Sequence, residues 1–318
     1  MKKLKSNLAI LFALQLLVIA VIYWSNGQQQ ELVSEAFVNL EKASIDKLII
    51  SSVEQNVELV KREDQWYIKT LSDLPANLGK VNTAIEQITS LKTNWPIATT
   101  TSSHQRFELL KDDFNRKIKV FAGEQFSSEI LLGTSPSFKK THIRKIDDDN
   151  VYSLSLNTYD FSEEPNDWLD KKLLATNNPT KIKGKDFTLV KVNEKWSLQD
   201  NNIIDSELDL EKAIKLSKAI SELTVIDLVN EEKNLSFETA SSLEVGGDKT
   251  NSYRFMEKDN KYYIKRDDYT QVFTLSKSNF DTLAGASIIE LVVKKKETET
   301  TQQEDSEIDL EASQETPD

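Results

Sequence analysis

Leu59-Val60-Lys61-Arg62-Glu63-Asp64-Gln65-Trp66-Tyr67-Ile68 and Leu189-Val190-Lys191-Val192-Asn193-Glu194-Lys195-Trp196-Ser197-Leu198 lie 130 residues apart and read alike. Each is a run of strand-type residues, a polar turn, and a second short run built on a tryptophan, which is the pattern of a β-hairpin. A second pair lies 121 residues apart: Ile143-Arg144-Lys145 followed by Val151-Tyr152-Ser153-Leu154, and Ile264-Lys265-Arg266 followed by Val272-Phe273-Thr274-Leu275. Two blocks that recur in the same order predict two similar domains in tandem. Their spacing makes the second about nine residues shorter in its middle.

Between the paired blocks the periodicity changes from two to 3.6. Leu78, Val81, Ala84, Ile85, Ile88 and Leu91 form one apolar helical stripe, and Leu210, Ala213, Ile214, Leu216, Ile220 and Leu223 form its counterpart. Residues 45–50 open the first unit as a strand. After its helix, residues 118–121, 130–132, 142–146 and 151–154 are strand candidates separated by Gly, Pro, Ser and Asp turns. A closing segment with Tyr159, Phe161, Trp168 and Leu169 reads as helical. In the second unit residues 243–245, 253–256, 262–265 and 272–275 are strands, and Phe280, Leu283, Ile288, Ile289 and Leu291 close it. Strands, one helix, then hairpin-linked strands is an α+β pattern, each domain a mostly antiparallel sheet with a covering helix.

The ends of the chain differ from this body. Residues 8–24 are apolar except for Gln15, follow Lys2, Lys3 and Lys5, and finish on Tyr23-Trp24. Seventeen helical residues span about 25 Å, and an aromatic pair at the boundary suits an anchor in a membrane interface. A cleaved secretory signal shares the basic start and short apolar run, with Ser25-Asn26-Gly27 as a small-residue cleavage site, but its apolar core is shorter. The lysines before the span and the uncharged residues after it predict a cytoplasmic N-terminus and a periplasmic body. No cysteine exists to carry a lipid. The expected organisation is a cytoplasmic start (1–6), a transmembrane anchor (7–24), an amphipathic stalk (25–43), repeat domain 1 (44–174), a linker (175–181), repeat domain 2 (182–293) and a disordered acidic tail (294–318).

The tail is the main source of the formal charge of −12, because residues 297–318 hold nine acids and no Lys or Arg. The body is only mildly acidic and carries no basic patch interleaved with aromatics, which excludes a nucleic-acid partner.

Four short motifs, Gln65-Trp66-Tyr67-Ile68, Leu131-Leu132-Gly133, His142-Ile143-Arg144 and Val151-Tyr152-Ser153-Leu154, together with the apolar start, resemble the bacterial domain-of-unknown-function family 4340. The resemblance covers most of the first unit and, more loosely, the second, which lacks the Leu-Leu-Gly turn. It brings no established enzymatic activity and supplies no catalytic residues to carry over. It implies genomic company with an ABC-type ATPase, its permease and a gliding-motility-type auxiliary protein, hence an accessory role in an envelope assembly.

Candidate sites weigh toward structure. His104 and His142 are the only imidazoles, and a zinc centre needs three or four converging ligands. Asp147-Asp148-Asp149-Asn150 lacks the alternating acids, central glycine and terminal glutamate of an EF-hand, and Asp267-Asp268-Tyr269-Thr270 holds the matching place in the second unit, so both read as turns. Trp66 and Trp196 read as core residues before ligand platforms. No nucleophile elbow or phosphate loop is present. The expectation is therefore no catalytic, cofactor or metal residue, and a non-enzymatic membrane-anchored binding or scaffold protein of the inner membrane. Its partners would be envelope proteins such as an ABC permease or auxiliary subunit. The alternative is an envelope hydrolase or polysaccharide-binding protein with a carboxylate site between the repeats.

Overall fold

The computed structural model describes residues 11–21 (helix α1), 34–93, 95–123, 125–199, 206–229, 235–247 and 249–294. The chain is α+β and divides into two compact units, Met1–Leu173 and Leu174–Asp318.

In the first unit β1 (Ile45–Ser51), β2 (Asn56–Arg62), β3 (Gln65–Ile68) and β4 (Leu74–Pro75) precede helices α2 (Leu78–Ser90) and α3 (Thr101–Arg106). Four strands follow: β5 (Arg116–Ala122), β6 (Gln125–Leu132), β7 (Lys140–Lys145) and β8 (Tyr152–Ser155). They form one eight-stranded sheet in the order β4-β3-β2-β1-β5-β6-β7-β8, antiparallel throughout. Alternation decides the buried face: Leu48, Ile50, Val57, Leu59, Trp66, Ile68, Ile118 and Val120 are all inside. A register shift between Ile45 and Lys47 inserts one residue, so Ile45 and Leu48 are both buried although three apart. Helix α2 begins where the Asn77 side chain accepts from Lys80 N, and it buries Val81, Ala84, Ile85 and Ile88.

The second unit contains β9 (Lys181–Lys183), β10 (Thr188–Val192), β11 (Lys195–Leu198), β12 (Ser206–Leu208), α4 (Leu210–Ser221), β13 (Ser241–Gly246), β14 (Thr250–Lys258), β15 (Lys261–Arg266) and β16 (Phe273–Leu275). Helices α5 (Lys277–Ala284) and α6 (Ile288–Leu291) and strand β17 (Val292–Lys294) end it. Its seven-stranded sheet runs β11-β10-β9-β13-β14-β15-β16, and β12 pairs separately with β17. A central first strand, a hairpin on one side and a meander on the other therefore occur in both sheets. The hairpins share their register: Lys61 faces Trp66, and Lys191 faces Trp196. Both tryptophans are buried, at 2% and 7% exposure. The β10–β11 turn places Asn193 and Glu194 in the left-handed region (φ 49° and 63°), as a two-residue type I′ hairpin requires.

Several boundaries differ from those expected. Within the expected stalk (25–43), residues 34–38 are held against the first unit, with an isolated bridge between Ala36 and Lys92. Phe37 N donates to Leu91 O at 2.8 Å, Thr93 N donates to Glu35 O at 2.8 Å, and Phe37 and Val38 are buried. Two adjacent large side chains find room between a sheet edge and a helix end, where Phe37 also meets Tyr152 edge-on at 5.8 Å. The expected linker 175–181 is likewise part of the second unit: Thr176 is buried and Lys181 opens β9, a strand that alternation over three residues is too short to reveal. Strand β17 carries the folded chain through Lys294, and the remainder of the acidic tail lies outside the described residues.

Residues 11–21 are helical and exposed. They fall within the expected anchor, whose two ends lie outside the described residues. Among the described residues no helix is long and apolar enough to cross a membrane.

Candidate functional site

Three of the four family-like motifs, Leu131-Leu132-Gly133, His142-Ile143-Arg144 and Val151-Tyr152-Ser153-Leu154, converge on one structural task in the first unit, holding the segment from α3 to Leu110 against β6 and β7, while Gln65–Ile68 is β3 in the other half of the sheet. Ile130 and Leu131 point to opposite faces of β6, so the sheet needs cover on both sides there. Leu131 packs with Leu109 and Val151 in a small second core bordered by Phe107, Phe114 and Ile146. Gly133 permits the approach, because a Cβ at that position would collide with the Phe107 carbonyl; instead Thr134 N donates to that oxygen at 3.0 Å.

Both histidines belong to this construction. His104, buried on α3, places Nε2 2.8 Å from the Asp149 carbonyl oxygen. His142 on β7 places Nδ1 2.8 Å from the Thr134 hydroxyl, and its ring lies 4.2 Å from that of Phe107. Burial, with the nearby Arg106 charge adding to it, pushes the His142 imidazolium below its ordinary pKa. The acidic triplet is a turn, in which Asp148 Oδ1 accepts from Asn150 N at 3.0 Å. Among the described residues no three His, Cys, Asp or Glu groups are placed to hold a metal ion.

Arg144 is the residue whose role sequence reasoning did not anticipate. It is 4% exposed and donates only to backbone oxygens: to Leu109 at 3.0 and 2.7 Å, to Asp148 at 2.9 Å, and at longer range to Lys145 and Ile146. Burial holds its pKa below the usual arginine value, with Asp149, Asp148 and Asp147 opposing that shift through space. The alternation of β7 offered no clue, because Thr141, His142, Ile143 and Arg144 are all buried in succession.

The second unit ties down its own opening segment with other groups. Arg266 forms a fork with Asp268, Nε to Oδ1 at 2.6 Å and a terminal nitrogen to Oδ2 at 3.0 Å. Burial works against the Arg266 charge, and the bonds to Asp268 and Tyr253 outweigh it. The Tyr253 hydroxyl donates to Leu174 O at 2.7 Å and meets the Thr176 hydroxyl at 2.6 Å, and Asn251 Nδ2 donates to that same hydroxyl at 2.9 Å. These bonds absorb the segment expected to be a linker.

With these polar groups engaged, the exposed chemistry lies elsewhere, beside β8 at the sheet edge. Phe138 and Tyr159 are 88% and 87% exposed. They line one groove of about 410 Å³ with Lys139, Lys140, Asn157 and Leu156. A neighbouring groove of about 350 Å³ shares Lys140 and adds Lys92 and Leu154. Tyr159 was expected among the apolar residues closing the unit. Phe161, Trp168 and Leu169 are buried as that reading requires, whereas Tyr159 sits on a short 3₁₀ turn and points outward. An aromatic in the polar loop Ser135-Pro136-Ser137-Phe138-Lys139-Lys140 is the signal that marks the other side of the groove.

No curated protein and no solved structure matches the chain. The family model described as "Domain of unknown function (DUF4340)" matches residues 66–242, from Trp66 in β3 to Ser242 in β13, and so takes in parts of both units. That match covers more than half of the sequence, and the chain belongs to this family of unknown function.

Proposed function

We propose that the protein is a non-enzymatic, membrane-anchored binding component of the bacterial envelope, with two duplicated units outside the cytoplasm and a place beside an ABC-type or gliding-type assembly. The observation that carries this reading is the pair of fully presented aromatic rings on one groove. Large exposed rings backed by buried leucines are the composition of a contact surface, since an aromatic anchor supplies much of the energy of a protein interface. The engagement of His104, His142, Arg144 and Arg266 in internal bonds supports a structural role for the polar residues that chemistry would otherwise draw on. The shared strand order and hairpin register support duplication. The basic start and apolar run support the anchor.

The test uses the full chain in cells. A photo-crosslinking residue replaces Phe138 or Tyr159 and, as a control, the exposed Val53. A discrete adduct with one envelope protein from the first two positions and none from Val53 is expected, together with activity of a C-terminal reporter that works only outside the cytoplasm. A cytoplasmic reporter signal, or adducts independent of position, would refute the assignment.

A further inference from the structure

The two adjoining grooves beside β8 have a charge pattern opposite to that of the whole chain. The protein carries −12, yet Lys92, Lys139 and Lys140 line the grooves and no carboxylate does so among the described residues. All three lysines are exposed. Among the described residues Lys139 and Lys140 take part in no ion pair; the Lys139 ammonium instead lies 5.3 Å from the centre of the Phe138 ring. Unpaired cations at a surface raise the local concentration of an anionic partner and discriminate against a cationic one.

The remaining lining narrows the class. Phe138 has no polar atom, and Leu154 and Leu156, both nearly buried, form apolar parts of the grooves. Aromatic rims and leucine floors are stabilised by covering them with apolar side chains, at roughly 25 cal/mol per Å² removed from water. Ser135 and Ser137 also line the groove and offer hydroxyls to peptide groups, whereas the Asn157 side chain is engaged with Asp160 and Tyr159 N. Carboxylates and apolar side chains on one extended strand meet all of these demands. A polyuronate meets the charge and can lay C–H faces on the rings, but it has no apolar side chain to reach the leucine floors.

We propose that this trough binds an extended acidic peptide segment of a partner protein, in which carboxylates face Lys92, Lys139 and Lys140 and one or two apolar side chains cover Phe138 and Tyr159. The proposal rests on the binding reading above and adds the chemistry of the partner. A suitable probe is the labelled peptide Glu-Asp-Ser-Glu-Ile-Asp-Leu-Glu, the composition of residues 304–311, against its Gln/Asn analogue with the same apolar residues.

Binding to the purified full chain is read by fluorescence anisotropy. The acidic peptide should bind, weaken as salt rises, and lose about tenfold on K139E/K140E and on F138A/Y159A, with the analogue weaker by a similar factor. Unchanged circular dichroism and melting would show that the exposed substitutions leave the fold intact. Equal binding of the analogue, indifference to the lysine substitutions, or competition by polygalacturonate with no binding of the peptide would overturn the proposal. If the peptide fails while Phe138 still crosslinks one envelope protein, the acidic chemistry is wrong and the binding reading stands. If both fail, both are wrong.

Discussion

Replacing Arg144 with methionine tests whether the family motif works as a tie between β7 and the segment after α3. Methionine keeps most of the stem volume and removes the guanidinium. The Leu109 carbonyl then loses two donors, at 3.0 and 2.7 Å, and the Asp148 carbonyl loses one at 2.9 Å. The contacts to Lys145 and Ile146, at 3.3 and 3.4 Å, are near the limit of a useful bond and add little. Leaving a buried acceptor without its donor costs about 1–3 kcal/mol. The buried Leu109 carbonyl sets most of the gross cost, the part-buried Asp148 carbonyl adds less, and relief from burying a guanidinium offsets part of the sum. A net destabilisation of about 1–3 kcal/mol is expected. Arg144→Lys should recover only part, because an ammonium cannot reach both carbonyls in the geometry of a guanidinium fork. Hydrogen exchange read by mass spectrometry localises the effect: residues 101–110 and 145–150 should lose protection while α2 and β1 keep theirs. A loss spread evenly over the first unit, or a stability change below about 0.5 kcal/mol, would refute the tie.

The matched hairpins predict matched costs. Trp66→Ala and Trp196→Ala should each destabilise their own unit by about 3–5 kcal/mol, measured by urea unfolding followed separately for each unit by exchange; a near-neutral result at either would break the equivalence. The pH dependence follows from His142, whose folded pKa lies below its ordinary 6.5. The unfolded chain then binds the proton more readily, so the contribution is complete above that value and is lost as pH falls through the window beneath it. Thermal melts between about pH 7 and pH 5 should show this decline, reduced in His142→Gln. A stability that rises on acidification over that range would contradict it.

How much was legible in the sequence follows the range of the forces involved. The β10–β11 turn was readable because Asn193-Glu194 sits between two strand-type runs, and the left-handed backbone there is a property of those few residues. The stripes of α2 and α4 were readable because burial of one helix face repeats every 3.6 residues, although Leu210 and Ile214 on α4 remain substantially exposed. Strand β9 was not readable, since three residues with one isoleucine carry no period. Its place at the centre of a sheet comes from β10 and β13 on either side.

Local periodicity by itself thus determined the α+β class, the two tryptophan hairpins and the inward faces of the main helices, because each depends on neighbours a few residues away. Tertiary structure alone decided the fate of residues with mixed character. Phe37 is buried because Leu91 lies beside it, Thr176 because Tyr253 and Asn251 reach it, and Arg144 because Leu109 turns its carbonyl inward. Tyr159 and Phe138 went the other way and stand at one groove, 21 residues apart in sequence. An aromatic or a charged side chain is amphipathic, so its placement is set by which distant partner can satisfy both its ends, and that partner is known only once the chain has folded.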